Sequence, residues 1–270
     1  MLKKLIFTIL GRRTSKRLYY TLTRKKLYFS EAEIIIDYFY TYQRQGLMID
    51  VGVHFGESCL PYSELGWSII GFEPDPYNQK KIPMIQGLKL YQEAVSNKDG
   101  EVLTFYASDE SSGISSLSSF HASHRPVAQV KTISLSTAIE KEGIQKVDFL
   151  KIDIEGHDLF ALKGFPFEKC VPEIILCEFE DYKTVPVGYT YKDLGDFLLE
   201  KGYAVYLSEW YPIIKYGSQH RWRNIRPYPT KLEDARGWGN YIAVKQSEKD
   251  RFEKVLQQYL KDFPISNWTK

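Results

Sequence analysis

Twelve residues constrain this chain more than any others: Leu47-Met48-Ile49-Asp50-Val51-Gly52-Val53-His54-Phe55-Gly56-Glu57-Ser58. They read as a short apolar strand, a glycine turn and the start of a helix, with the carboxylate of Asp50 at the strand's end. Gly52 and Gly56 have no Cβ, so the backbone there can turn sharply and let a ligand come close. A second apolar strand, Trp67 to Phe72, ends on another acid, Glu73. An acid about 20 residues beyond a strand–glycine–helix turn is placed to accept hydrogen bonds from ribose hydroxyls.

The rest of the chain repeats this alternation. Further strands are predicted at Lys89–Val95, Val102–Ala107, Val127–Ser134, Val147–Asp153, Ile174–Glu178, Tyr203–Ser208 and Asn240–Val244. Helices are predicted at Glu57–Leu65, bent by Pro61, after Pro74-Asp75-Pro76, and at Thr137–Glu142, His157–Lys163, Tyr191–Lys201 and Asp250–Leu260. Val102–Ala107 reads as the hairpin partner of the strand before it, across the Asn97–Gly100 turn. Such alternation argues for a mainly parallel α/β sheet covered on both faces. These sheets bind ligands outside the carboxyl ends of their strands. The strand-end residues Asp50, Glu73, Ala94, Asp153 and Glu178 therefore carry the functional information.

A dinucleotide turn would read G-x-G-x-x-G, with helix N–H groups facing a pyrophosphate. Here the pattern is D-x-G-x-x-x-G, and Asp50 directly ahead of the turn would repel a pyrophosphate. It suits a cationic nucleoside instead. S-adenosylmethionine (SAM) carries a sulfonium, an ammonium and a ribose, and so meets both acids.

Three blocks together carry a family pattern: Ile49 to Ser58, Gly71-Phe-Glu-Pro-Asp-Pro76, and Phe149-Leu-Lys-Ile-Asp-Ile-Glu-Gly-His-Asp158. In this order and spacing, over about residues 46–180, the chain resembles the FkbM family of SAM-dependent methyltransferases. The resemblance implies a Rossmann-like class I methyltransferase fold with a mainly parallel seven-stranded sheet. It also implies SAM as donor and O-methylation, often of sugars or natural products. Carried over, Asp50, Gly52, Phe55, Gly56 and Ser58 would lie along the methionine part of SAM. Glu73 would hold the ribose, and the Pro74-Asp75 turn and Glu93-Ala94 would flank the adenine. Two positions depart from the family: Leu135-Ser136 stands where Leu-Asp is common, and His54, also assigned to the cofactor site, replaces the usual Asn.

Methylating a hydroxyl needs an oxygen nucleophile held in line with the methyl group, and a base for a poorly acidic proton. Alternation puts Lys151 and Asp153 on one face of their strand. Asp153 is the first choice to orient or deprotonate the acceptor, with Lys151 pairing with it or holding substrate. Glu155 is assigned to the following helix start. His157 is a further base. Asp153, His157 and Glu178 could hold a divalent cation if their strands adjoin, although a metal-free site is favoured. The Ser-rich stretch from Ser111 to His124 spaces Ile114, Leu117 and Phe120 at nearly helical intervals and reads as a lid whose hydroxyls face ligand, with His121 and His124 at the acceptor and either one an alternative base.

Residues 209–239 read as a long substrate loop. Its Trp210, Trp222, His220 and Arg223 suit a sugar or an anionic glycan. The domain plan is then a basic N-terminal helical arm over 1–45, a methyltransferase domain over 46–246 and a C-terminal helix over 247–270.

Charge separates the partners. Nine of the 36 basic residues lie within residues 1–30, which hold no acid, so the other 27 face all 34 acidic side chains. The arm over residues 1–26 reads as an amphipathic, lipid-facing segment or as a partner-packed one, too short in its apolar run for a membrane span. The acidic body disfavours nucleic acid. Three cysteines without metal spacing point to a reducing compartment, hence to a cytoplasmic protein with an optional contact at the inner membrane surface. The competing readings are a non-catalytic methyltransferase-fold module at a membrane surface and a nucleic-acid methyltransferase.

Overall fold

The computed structural model describes residues 27–110, 112–216 and 218–263, together with Ser15 and Leu22. The amphipathic reading of the arm over residues 1–26 falls outside the described residues. In chain order the strands are β1 (Leu47–Val51), β2 (Ser68–Phe72), β3 (Leu88–Tyr91), β4 (Ala94–Val95), β5 (Val102–Ser108), β6 (His124–Ile133), β7 (Phe149–Ile152), β8 (Ile174–Glu180), β9 (Tyr203–Trp210), β10 (Trp222–Pro227) and β11 (Trp238–Lys245). The helices are α1 (Glu31–Tyr42), α2 (Leu60–Glu64), α3 (Pro76–Gln79), α4 (Leu135–Lys141), α5 (Asp158–Lys163), α6 (Asp181–Thr184), α7 (Tyr191–Glu200) and α8 (Lys249–Leu260).

Eight strands form one sheet in the order β10-β9-β11-β8-β7-β1-β2-β3. The run from β3 to β8 is parallel, while β11 pairs antiparallel with both β8 and β9. Successive side chains of a strand alternate between two apolar layers. Ile49, Val51, Leu150 and Ile152 join Leu135, Leu159 and Leu194 on one face. Met48, Ile69 and Phe149 join Ile35, Phe39, Tyr62 and Phe252 on the other. The apolar runs are buried from both sides, which is why they read as continuous rather than alternating.

Several expectations are corrected. The sheet has eight strands, not seven, because part of the expected 209–239 loop is strand β10, paired antiparallel with β9. β5 does not pair with β3. It joins β6 and β4 in a separate three-stranded sheet, because β3 spends one edge on β2 and the chain leaves the main sheet beyond it. Pro61 does not bend a long helix. It stands at the first positions of the short α2, where a missing N–H costs nothing.

The helix over 31–42 is no part of a basic arm: Ile34, Ile35, Tyr38 and Phe39 are fully buried. First-turn acids such as Glu31 suit the positive end of a helix dipole, but here the tertiary structure uses this one. It is buried and accepts hydrogen bonds from Ser208 Oγ at 2.6 Å and Trp210 Nε1 at 2.7 Å, tying α1 to β9. The three cysteines are free and buried, as core-packing residues should be. Among the described residues no helix is long and apolar enough to cross a membrane.

Candidate functional site

At the carboxyl ends of β1, β2 and β7 a cavity of about 280 Å³ opens. The turn after β1 builds its floor. Gly52 and Val53 both donate their N–H groups to the Phe72 carbonyl, at 2.9 and 3.1 Å. Gly52 has φ +89, and a Cβ there would lie 2.0 Å from the Asp153 carbonyl oxygen. What a side chain at this glycine would meet is the chain itself. Gly56, also at φ +89, meets Ile85 Cδ1 in the same way.

His54 explains its own substitution. It sits at φ 54, in the left-handed region where Asn and His are both enriched. That conformation turns its N–H onto Glu73 Oε2 at 2.8 Å. Glu73 also accepts from the Asp75 N–H at 2.9 Å, and Asp75 in turn caps α3 by accepting from Tyr77 N–H. Burial is the main influence on Glu73 and pushes its carboxyl up to about 7, with the N–H donors pulling the other way. Beside it, Asn78 Oδ1 is buried without a partner, and Asn78 lines the same cavity.

Asp50 is fully buried and does not line the cavity. Its carboxylate accepts from Ser58 Oγ, from Cys59 Sγ at 3.2 Å and from Lys151 Nζ at 3.1 Å. The parallel register sets Asp50 directly opposite Lys151, so the acid expected at the methionine end instead anchors a lysine. The Lys151 ammonium also donates to the Gly52 carbonyl at 3.1 Å and lies 3.6 Å from Asp153 Oδ2. Burial alone would lower this amine, but Asp50 and Asp153 hold it above its ordinary value. Asp153 itself is 48% exposed and lines the cavity.

Of the other expected cofactor residues, Gly52, His54, Ser58, Glu73, Pro74 and Ala94 line the cavity, whereas Phe55, Gly56, Asp75 and Glu93 do not. His157 stands at the N-cap position of α5 without a side-chain capping bond and packs on Phe160 outside the lining. Burial pushes its imidazole down to about 4, so it stays neutral at physiological pH. Glu155 is not at a helix start. It is buried, lines the cavity and lies 2.5 Å from Lys183 Nζ.

Lys183, on α6, is 2% exposed and also reaches Glu178 Oε2 at 2.9 Å and Glu180 Oε2 at 2.8 Å. Burial pushes Glu178 up to about 7 against the pull of Lys183. Of the pair proposed for a divalent cation, Glu178 is already taken by the Lys183 ammonium and Asp153 by Lys151.

A second cavity, about 640 Å³, shares Glu180 with this cluster and is lined by His121, Tyr182, Tyr216, Lys215 and Arg236 among others. It draws on the 209–239 segment, but not on the residues expected from it. Trp222 is buried and stacked on Phe29 at 3.7 Å. Trp210 donates to Glu31 and stands 5.5 Å from Trp238, and His220 packs edge-on against Trp238. Arg223 stacks over Tyr211 and pairs with the buried Glu209. These side chains brace the segment on the sheet.

The Ser-rich stretch is divided. Gly113, Ser115, Ser116 and Leu117 wall the first cavity, His121 faces the second, and His124 is buried against the Ile114 carbonyl at 2.9 Å.

The first cavity suits SAM. Glu57, Glu73 and Asp153 line it against one amine, Lys151, with Glu155 already paired to Lys183, a balance that favours a cation. Glu73 and the unpartnered Asn78 oxygen supply acceptors for hydroxyl or amino groups. Asn78 and Lys183 carried no sequence signal of their own, whereas Ser116 belongs to the Ser-rich stretch. Glu178 and Glu180 did: two acids on one face of a fully buried strand need a buried cation nearby.

Residues 50–205 match the Methyltransferase FkbM domain. A search of curated proteins finds no match. Among solved structures, the chain is similar to a TehB-like SAM-dependent methyltransferase from Corynebacterium glutamicum (9% identity, 86% of this chain and 97% of that one, TM-score 0.41). It is also similar to an rRNA methylase from Streptococcus thermophilus (6%, 82% and 100%, TM-score 0.42). A third is SMU.1697c from Streptococcus mutans, described as a methyltransferase and solved with S-adenosylhomocysteine (11%, 81% and 99%, TM-score 0.41). Likeness at this distance says nothing of reaction or acceptor.

Proposed function

We propose that this chain, which belongs to the FkbM methyltransferase family and so is a SAM-dependent methyltransferase, methylates a hydroxyl of a saccharide or a saccharide-containing product. The observation that carries the reading is Asp153. Its carboxylate is half-exposed in the cavity that also presents Glu73, with Lys151 behind it at 3.6 Å.

The chemistry that SAM supplies is a sulfonium-bound methyl group open to attack by an oxygen nucleophile. The chain's residues do the rest. Glu73 and Asn78 accept hydrogen bonds from the nucleoside. Lys151, 3.6 Å away, keeps Asp153 aimed. Asp153 accepts the acceptor hydroxyl's proton as the oxygen attacks, and its exposure lets that proton pass to water. Proximity within the cavity supplies much of the acceleration.

The larger cavity, with Tyr182, Tyr216 and His121 in its lining, offers rings that suit the faces of a sugar, and its Lys215 and Arg236 suit an anionic substituent.

Calorimetric titration of SAM into the wild type and Glu73→Ala tests the cofactor part. Absence of binding to the wild type, or unchanged binding to the variant, defeats it. Incubation with SAM and a panel of glycans, read by NMR for new O-methyl signals, tests the acceptor. Methylation confined to nitrogen or to RNA would defeat that part.

A further inference from the structure

Asp153, Glu155 and Glu178 present carboxylate oxygens that all lie within 4.8 Å of one another. Opposite oxygens across a bound Mg²⁺ or Ca²⁺ stand about 4–5 Å apart, so this is the donor set of a hard-cation site. Two of the three carboxylates are already turned onto the Lys183 ammonium, at 2.5 and 2.9 Å, and Glu180 closes the far side at 2.8 Å.

The backbone is shaped to admit that lysine. Gly156 stands at φ +93, and a Cβ there would lie 3.0 Å from Lys183 Cβ, so the turn can lie against the lysine only as glycine. The preceding Glu155 is held at φ 56, a left-handed conformation that costs energy in a residue with a long side chain. Two contacts hold it there: the ion pair to Lys183, and Ser116 Oγ donating to the Glu155 carbonyl at 2.9 Å. Ser116 and Asp153 both line the first cavity. The lysine therefore fastens the turn that carries Asp153 and Glu155. It is itself too buried to touch an acceptor.

We propose that Lys183 is the resident cation of this site, its ammonium held by Glu155, Glu178 and Glu180 in place of a divalent metal ion that Glu155 and Glu178 would otherwise share with Asp153, and positioning the 153–156 turn beneath the acceptor. Lys183 is thus a positioning residue. Its link to catalysis rests on the methyl-transfer reading above, but the replacement of a metal by an ammonium is read by cation binding, which needs no turnover.

The test compares the wild type with Lys183→Met, which keeps chain length and loses the charge. A second variant joins Lys183→Met to Glu180→Gln, so that one negative charge leaves with the positive one. This pair carries the test if the single variant does not hold its fold. Mn²⁺ is titrated into each protein by calorimetry and by loss of the free Mn²⁺ EPR signal. The expected result is binding at least about tenfold tighter in the variants than in the wild type, and a melting temperature that Mn²⁺ raises in the variants alone. Equal Mn²⁺ affinity in the wild type and a folded variant would overturn the proposal. So would a wild type that already binds Mn²⁺ tightly.

Discussion

Gly52→Ala separates two roles for the first glycine of the turn. If the residue exists to admit a ligand, an added methyl group should cost affinity and little stability. The structure argues otherwise, because that methyl carbon would lie 2.0 Å from the Asp153 carbonyl oxygen, with φ at +89. A positive φ costs an alanine about 1–2 kcal/mol, and overpacking against backbone adds about 1–3 kcal/mol. Backbone at this site cannot move alone. The Gly52 carbonyl is a Lys151 acceptor and the Asp153 N–H donates to the Val51 carbonyl, so the sum should sit near the upper end, about 4 kcal/mol. In a chain of this size each kcal/mol lowers the melting temperature by roughly 2 °C, which gives a drop of about 8 °C.

Gly143→Ala is the control. It has φ +63 but open space around its Cβ position, so it should lose only the backbone part, about 2–4 °C. Calorimetric melting of both variants decides the matter, with S-adenosylhomocysteine affinity as the second readout, expected to fall at least about tenfold for Gly52→Ala alone. Equal melting of the two variants would refute the reasoning, since it would mean that the Asp153 contact costs nothing.

Cofactor affinity should depend on pH through Glu73. Its carboxyl is raised to about 7, chiefly by burial, so protons compete with ribose hydroxyls as pH falls through that value. S-adenosylhomocysteine binding should be flat above about pH 8 and weaken by up to about tenfold per unit below 7, whereas Glu73→Gln should bind more weakly with no such slope. Methyl transfer should separate the two base candidates. Asp153→Asn should lower kcat by about 10²-fold or more with cofactor affinity kept, while His157→Gln, altering a neutral ring outside the cavity, should change it less than about threefold.

Much of the architecture was legible because local pattern encodes it. Apolar runs of four to six residues, broken by Gly and Pro at helical spacing, are the direct imprint of strands buried on both faces. The acids at their ends mark the carboxyl edge where a ligand binds. Glu73 was readable from this pattern alone, and Asp153 from the same rule applied to a later strand. The second sheet was not readable, since β5 has the same composition whether it pairs with β3 or β6. Nor was β10, hidden in a segment whose aromatic and basic residues suggested recognition when their partners were Glu209, Glu31 and Phe29.

By itself the sequence determined an α/β chain with acids at its strand ends, because those properties depend on neighbours a few residues apart. The tertiary structure alone decided which acids face the cavity. Asp50 and Lys151 lie 101 residues apart and meet only through the β1–β7 register, and that meeting keeps Asp50 out of the cavity lining while Asp153 stays exposed in it. The Glu155 partnership with Lys183 likewise depends on β8 lying beside β7 and on the turn at Gly156. Coulomb attraction and the cost of burying charge act between atoms in space, and no local spacing announces which distant charge a buried residue will meet.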